Sequence, residues 1–330
     1  MWTTRPAVDN WRGYPSEVKP RRRWETSRRR RDQAVCARLW TTGRGLSVLT
    51  DTLIPGPKAA HRTLGSFVST LEQAAFGDRP DLAVTTTPVL PRDRWLAAVV
   101  LGAQGHYARA ATLLTGNDLT QDDGLAALAA ATLASHRRQL GGHAAARKHD
   151  AQALVKARAD DARADALLGL AADAIGTGHL EHARRLRDRV PLTTWRARVR
   201  HGWVSAEIAL STDQPAIAHA ERALGEAESA GARRHSIKSE IVLAAAHSAS
   251  EPVMARKLVT RARDAATDLH LSSLIWPASL LLAQVDPSEA TRHARNAEAV
   301  LHVLLRRADP RGRELAERSP WVPSAAGPTG

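Results

Sequence analysis

Six alanines recur along this chain at a nearly fixed interval. Ala110, Ala146, Ala183, Ala218, Ala255 and Ala290 lie 36, 37, 35, 37 and 35 residues apart. Each follows a break of Gly, Ser, Asp, Pro or His residues, and each opens a helical pattern. A period of 35–37 residues holds two helices and two turns. One hairpin of that size cannot bury its own apolar face, so successive hairpins must stack. The predicted fold class is all-α: an α-solenoid of about six helix-turn-helix repeats.

A second column supports the period. Twelve residues before the markers stand Ala98, Ala134, Ala171, Ala206, Leu243 and Ala278. Small residues on both helices of a hairpin let the two approach closely. The breaks predict helix pairs at 92–104 and 106–114, 124–140 and 143–157, 162–176 and 179–189, 194–210 and 215–230, 234–248 and 252–269, and 272–285 and 287–308. Around this array (92–308), residues 1–32 are expected to be a disordered basic arm, 33–91 a helical pair and linker, and 309–330 a flexible tail.

The segments Gly105-His106-Tyr107-Ala108-Arg109-Ala110 and Gly178-His179-Leu180-Glu181-His182-Ala183 look like the Gly-Asp-Tyr-x-x-Ala turn of the tetratricopeptide (TPR) repeat. The resemblance covers roughly residues 92–308 and is specific for the repeat class. It departs from the family where the Leu-Gly pair of the first helix is mostly absent. It departs again four residues after three markers, where Asp150, Arg187 and Arg222 stand in place of apolar residues. The resemblance implies a concave groove lined by the first helices, in which a peptide or protein partner lies.

The net charge of +13 is concentrated at the start, where residues 1–32 carry +6. Arg21, Arg22, Arg23, Arg28, Arg29, Arg30 and Arg31 form the densest part. Such a run offers phosphate contacts, with Trp11 and Trp24 available to stack on bases, so a nucleic-acid-associated regulator is the alternative reading. Of the 47 basic residues 41 are Arg, and Ala is abundant, which points to a GC-rich bacterial genome. The Arg- and Trp-rich opening also reads like translated upstream DNA, so the true start is expected further in, for example at Val35. Cys36 is the single cysteine, which excludes an intramolecular disulfide and fits a reducing cytoplasm. The longest uncharged stretch has 17 residues and is interrupted by Pro277, so it reads as a buried repeat helix and no membrane association is expected.

No catalytic motif is present: GxSxG, Walker A, GxGxxG and HExxH are all absent. An enzyme is not expected, and neither is a cofactor. His106 and His179 occupy equivalent turns, which explains them better than a metal site does. The candidate partner-binding residues come from an Arg-x-x-Trp pair that recurs in repeats one and four: Arg92 with Trp95, and Arg200 with Trp203. Arg196 and Arg200 share a face with Trp203, and Arg138, Glu207, Glu240 and His247 are expected to face the same groove. Trp and Arg dominate binding hot spots. The competing reading puts both tryptophans in the core between repeats, with the arginine heads in water. The expected function is a scaffold or regulatory adaptor that binds an unidentified protein or peptide through Arg92, Trp95, Arg138, Arg200 and Trp203.

Overall fold

The computed structural model describes residues 70–116, 119, 121–320 and 322–323. Among them are fourteen α-helices and no strand. A helix, α1, described over Thr70–Phe76, precedes the array. Six hairpins follow: α2 (Pro91–Ala103) with α3 (Tyr107–Leu114), α4 (Asp123–Gln139) with α5 (His143–Lys156), and α6 (Asp160–Gly176) with α7 (Leu180–Arg187). The remaining three are α8 (Trp195–Leu210) with α9 (Ile217–Ser229), α10 (Arg233–His247) with α11 (Pro252–Asp268), and α12 (Ser272–Val285) with α13 (Ala290–Arg306). The last helix is α14 (Pro310–Glu317). Each helix packs on its sequence neighbours, and each first helix also packs on the first helices beside it, as an α-solenoid requires.

Local chemistry sets the hairpins. Gly105, Gly141 and Gly178 adopt φ of 84°, 73° and 79°, which side chains rarely tolerate. Each closes the first helix of repeats one to three, and the following N–H reaches back to the helix: His106 N to Leu101 O at 2.7 Å, and His179 N to Ala174 O at 2.7 Å. His106 and His179 are then the N-cap residues of α3 and α7. Among the described residues no group of three or more His, Cys, Asp or Glu is placed to hold a metal.

The alanine columns are the packing seams, with one shift of register. Ala98, Ala134, Ala171, Ala206 and Ala278 are fully buried, as are Ala110, Ala146, Ala183 and Ala255. Ala218 is exposed and Ala290 only half-buried. In repeat four the buried stripe runs through Ala216, the N-cap residue, and Ala220, Ala223 and Ala227 of α9. In repeat six a 3-10 turn over Pro287–Glu289 delays the helix, so His293, Ala297, Leu301 and Leu304 take the inner positions.

The array curves until its end meets its beginning. The Ser273 hydroxyl donates to Ala103 O at 2.8 Å, and Ala108 N donates to Arg307 O at 2.8 Å. Tyr107, Leu140, Trp276, Leu301, Leu304, Ala308, Ala316 and Val322 form one apolar cluster across this seam. The start of the expected loose tail is instead α14. Asp309 caps it by accepting from Gly312 N at 3.1 Å, Pro310 opens it, and Arg137 donates to Asp309 Oδ2 at 2.6 Å. The uncharged stretch around Pro277 is the buried helix α12, and no described helix is long and apolar enough to cross a membrane.

Candidate functional site

The first helices α4, α6, α8 and α10 carry most of the buried polar and charged residues among those described. Trp95 Nε1 on α2 donates to Thr132 Oγ1 on α4 at 3.0 Å. Three repeats later the same bond recurs: Trp203 Nε1 on α8 donates to Ser239 Oγ on α10 at 2.8 Å. The recurring tryptophans therefore stitch one first helix to the next. This is the arrangement expected of a core tryptophan, whose indole N–H must find an acceptor when buried.

The arginines are also interior, and carboxylates hold them there. Arg138 Nε donates to Asp173 Oδ1 at 2.7 Å, and Arg138 Nη2 pairs with Asp150. Asp165 holds two arginines, with Arg196 Nη2 at 2.9 Å on Oδ2 and Arg200 on Oδ1. Gly169 leaves the space that the Asp150 carboxylate fills, since a Cβ there would strike it. Trp95 and Arg138 are 0% exposed, and Arg200 and Trp203 are 1% exposed. These four do not line an open groove, and the arginine heads do not reach water. Arg92 alone of the five anchors is half-exposed; its Nη2 lies 3.5 Å from Glu72 Oε1. Of the other groove candidates, Glu240 pairs with Arg261 at 3.0 Å and His247 with Glu251 at 3.2 Å.

Burial in this interior shifts ionisation. It pulls the Arg138 guanidinium down, but Asp173 and Asp150 outweigh it and the net shift is upward. Burial lifts the Asp150 carboxyl well above the usual carboxylate range, with Arg138 opposing. The Arg196 guanidinium is pushed down to about 10 by burial, against the pull of Asp165 and with repulsion from Arg200. Glu207 is fully buried, and burial pushes it up to about 7 against the attraction of Lys238 and Arg138. Neither Glu207 carboxylate oxygen has a hydrogen-bond partner among the described residues, nor has the Ser205 hydroxyl.

Across this face lies α1. Phe76 stacks on Trp95 with centroids 5.8 Å apart and rings 27° from parallel. The guanidinium carbon of Arg196 stands 5.0 Å from the Phe76 centroid, and His235 is 6.3 Å away. His235 in turn stacks on Trp203 at 5.7 Å and meets the Trp195 ring edge-on at 5.1 Å. Trp95, Arg196 and His235 belong to repeats one, four and five. One side chain touches all three because the array bends around it.

Sequence reasoning passed over Asp165, Asp173 and His235. The available signal was Asp173 itself, an acid set in the apolar run from Leu167 to Ile175. The arm residues Arg21, Arg22, Arg23, Arg28, Arg29, Arg30 and Arg31, and Cys36, lie outside the described residues. No protein-family model and no curated protein matches the chain.

Proposed function

We propose that this protein is a bacterial, cytoplasmic interaction scaffold or regulatory adaptor of the TPR class, without catalytic activity, that receives a protein or peptide partner on the inner face of its first helices. The Arg-rich, Ala-rich composition and the Gly-His turns support the origin and the class. The observation that carries the function is Glu207, a fully buried carboxylate neither of whose oxygens has a hydrogen-bond partner among the described residues. Desolvation without a hydrogen bond costs at least about 1–3 kcal/mol, and the attraction of Lys238 and Arg138 offsets it only in part, since the carboxyl is still pushed up to about 7. A partner whose binding opens this face and brings N–H or cationic donors to it would satisfy the carboxylate. Stacked repeats suit that task, since side chains from several of them converge on one ligand.

The test is photocrosslinking in the source cells, with benzoylphenylalanine placed at Arg92 or His247 near the inner face, or at the exposed Val155 or Val253. The adaptor reading expects one discrete protein adduct from positions 92 and 247, weakened by Glu207→Gln, and none from 155 and 253. Adducts of equal yield from all four positions, or from 155 and 253 alone, would overturn it.

A further inference from the structure

We infer that the concave face is a docking site for a short helix that ends in an aromatic residue, and that α1 is its resident, exchangeable occupant. The inference rests on the adaptor reading and names the chemistry of its partner. α1 fills the site as a ligand would. Phe76 lies between Trp95 and the Arg196 guanidinium, where an aromatic ring gains both stacking and cation–π attraction. Ala74 and Ala75, 3% and 1% exposed, let the helix backbone settle close to the array. The array meets the carbonyls at and just past the end of α1: Arg234 Nη2 donates to Ala75 O at 3.5 Å, and the Arg233 backbone N–H donates to Gly77 O at 3.1 Å. The Arg234 guanidinium at that end also complements the negative end of the helix dipole. One turn earlier Glu72 faces Arg92.

Nothing in the repeat period calls for α1. It stands before the first hairpin and is joined to it by a helix-free stretch, residues 77–90, in which Val89 and Leu90 are exposed. The recognised pattern is an acidic residue, then two small residues, then a terminal aromatic followed by Gly, as in Glu72, Ala74, Ala75, Phe76 and Gly77. An external helix of that kind would compete with a tethered one whose effective concentration is on the order of millimolar. The native chain then binds a competitor more weakly by the fraction of sites left open.

The probe is a fluorescein-labelled peptide with the sequence of residues 70–79, read by anisotropy. The proteins are the full native chain, the Phe76→Ala chain, and a chain cut at a protease site placed at residues 85–88. The cut chain keeps α1 intact and preserves the test if Phe76→Ala unfolds. The expected result is binding at least about tenfold tighter to the altered chains than to the native one. The same peptide carrying Phe76→Ala should not bind. Absence of binding to either altered chain while its far-ultraviolet circular dichroism stays helical would overturn the inference, as would binding indifferent to the phenylalanine. Either failure, alongside inner-face crosslinks in cells, would remove α1 as a mimic and leave the adaptor reading standing. Success here without those crosslinks would do the reverse.

Discussion

Replacing Arg138 by Met should be among the most damaging single changes to this fold, and the structure sets its size. Arg138, Asp150 and Asp173 have side chains no more than 1% exposed, and the guanidinium bonds both carboxylates. Met keeps much of the volume and removes the charge, which strands two buried acids. Breaking a buried pair from one side costs about 3–5 kcal/mol. At roughly 2–4 °C per kcal/mol for an array of this length, the melting temperature should fall by about 6–20 °C. The loss should depend on pH. Burial already holds Asp150 well above the usual carboxylate range, and without Arg138 it would rise further. A carboxyl whose folded pKa exceeds its unfolded value binds a proton on folding, so its contribution is complete below the unfolded value and lost as pH rises through the folded one. The deficit of Arg138→Met should therefore be largest at pH 8 and shrink toward pH 5. The control is Arg158→Met, whose partner Asp123 is 3.0 Å away and whose side chain is 73% exposed; an exposed pair of this kind contributes at most about 1 kcal/mol. Urea unfolding followed by circular dichroism at both pH values measures all of this. A cost for Arg138→Met no greater than that of Arg158→Met at pH 8 would refute the buried-pair reasoning.

Other consequences follow from single contacts. Glu207 titrates near 7 in the fold against an ordinary 4.5, so its contribution is complete below 4.5 and lost as pH rises through 7. Glu207→Gln should remove that fall, worth roughly 3 kcal/mol, and make the variant more stable than the native chain at pH 8, as read from urea midpoints. Trp203→Phe should cost about 1–3 kcal/mol by leaving Ser239 unpaired, and a double-mutant cycle with Ser239→Ala should return a coupling of about 0.5–1.5 kcal/mol. Burial pushes the Asp309 carboxyl up, but the hydrogen bond and charge of Arg137 and the backbone N–H donors together outweigh it and hold the group below its ordinary range. Asp309→Asn should cost about 1–3 kcal/mol at the seam and speed amide exchange in α14 while α6–α9 keep their protection.

The helix pairs were legible because their punctuation is chemical. Gly105, Gly141 and Gly178 end helices by φ, and the 3.6-residue stripe of small residues marks each seam. The register of repeats four and six was not. The sequence counts residues between alanines, whereas the buried stripe depends on where each helix starts, and a three-residue 3-10 turn moves it in repeat six. The inner face was read in part. Arg138, Arg200, Glu207, Trp95 and Trp203 do stand on inward faces of first helices, but a period cannot say whether an inward face meets solvent or another element. That depends on how far the curvature adds up over six repeats, and on α1, which lies outside the period altogether. α14 was missed for a related reason. Its sequence is polar, and its order comes from Asp309 at its cap and from Leu140 and Tyr107 in the first two repeats, residues about 170 positions away or more.

The position of α1 on the inner face bears most of this account, and a two-cysteine bridge tests it most directly. In a chain with Cys36→Ser, cysteines replacing Glu72 and Arg92 occupy sites whose native side chains meet at 3.5 Å, and Phe76 stays in its seat. A control pairs Glu72→Cys with Val253→Cys, at an exposed position on α11. A short bismaleimide should join 72 to 92 rapidly within one chain and leave the control unjoined, and the joined chain should refuse the labelled peptide of residues 70–79. Equal joining of both pairs, or peptide binding unchanged by the bridge, would contradict the account.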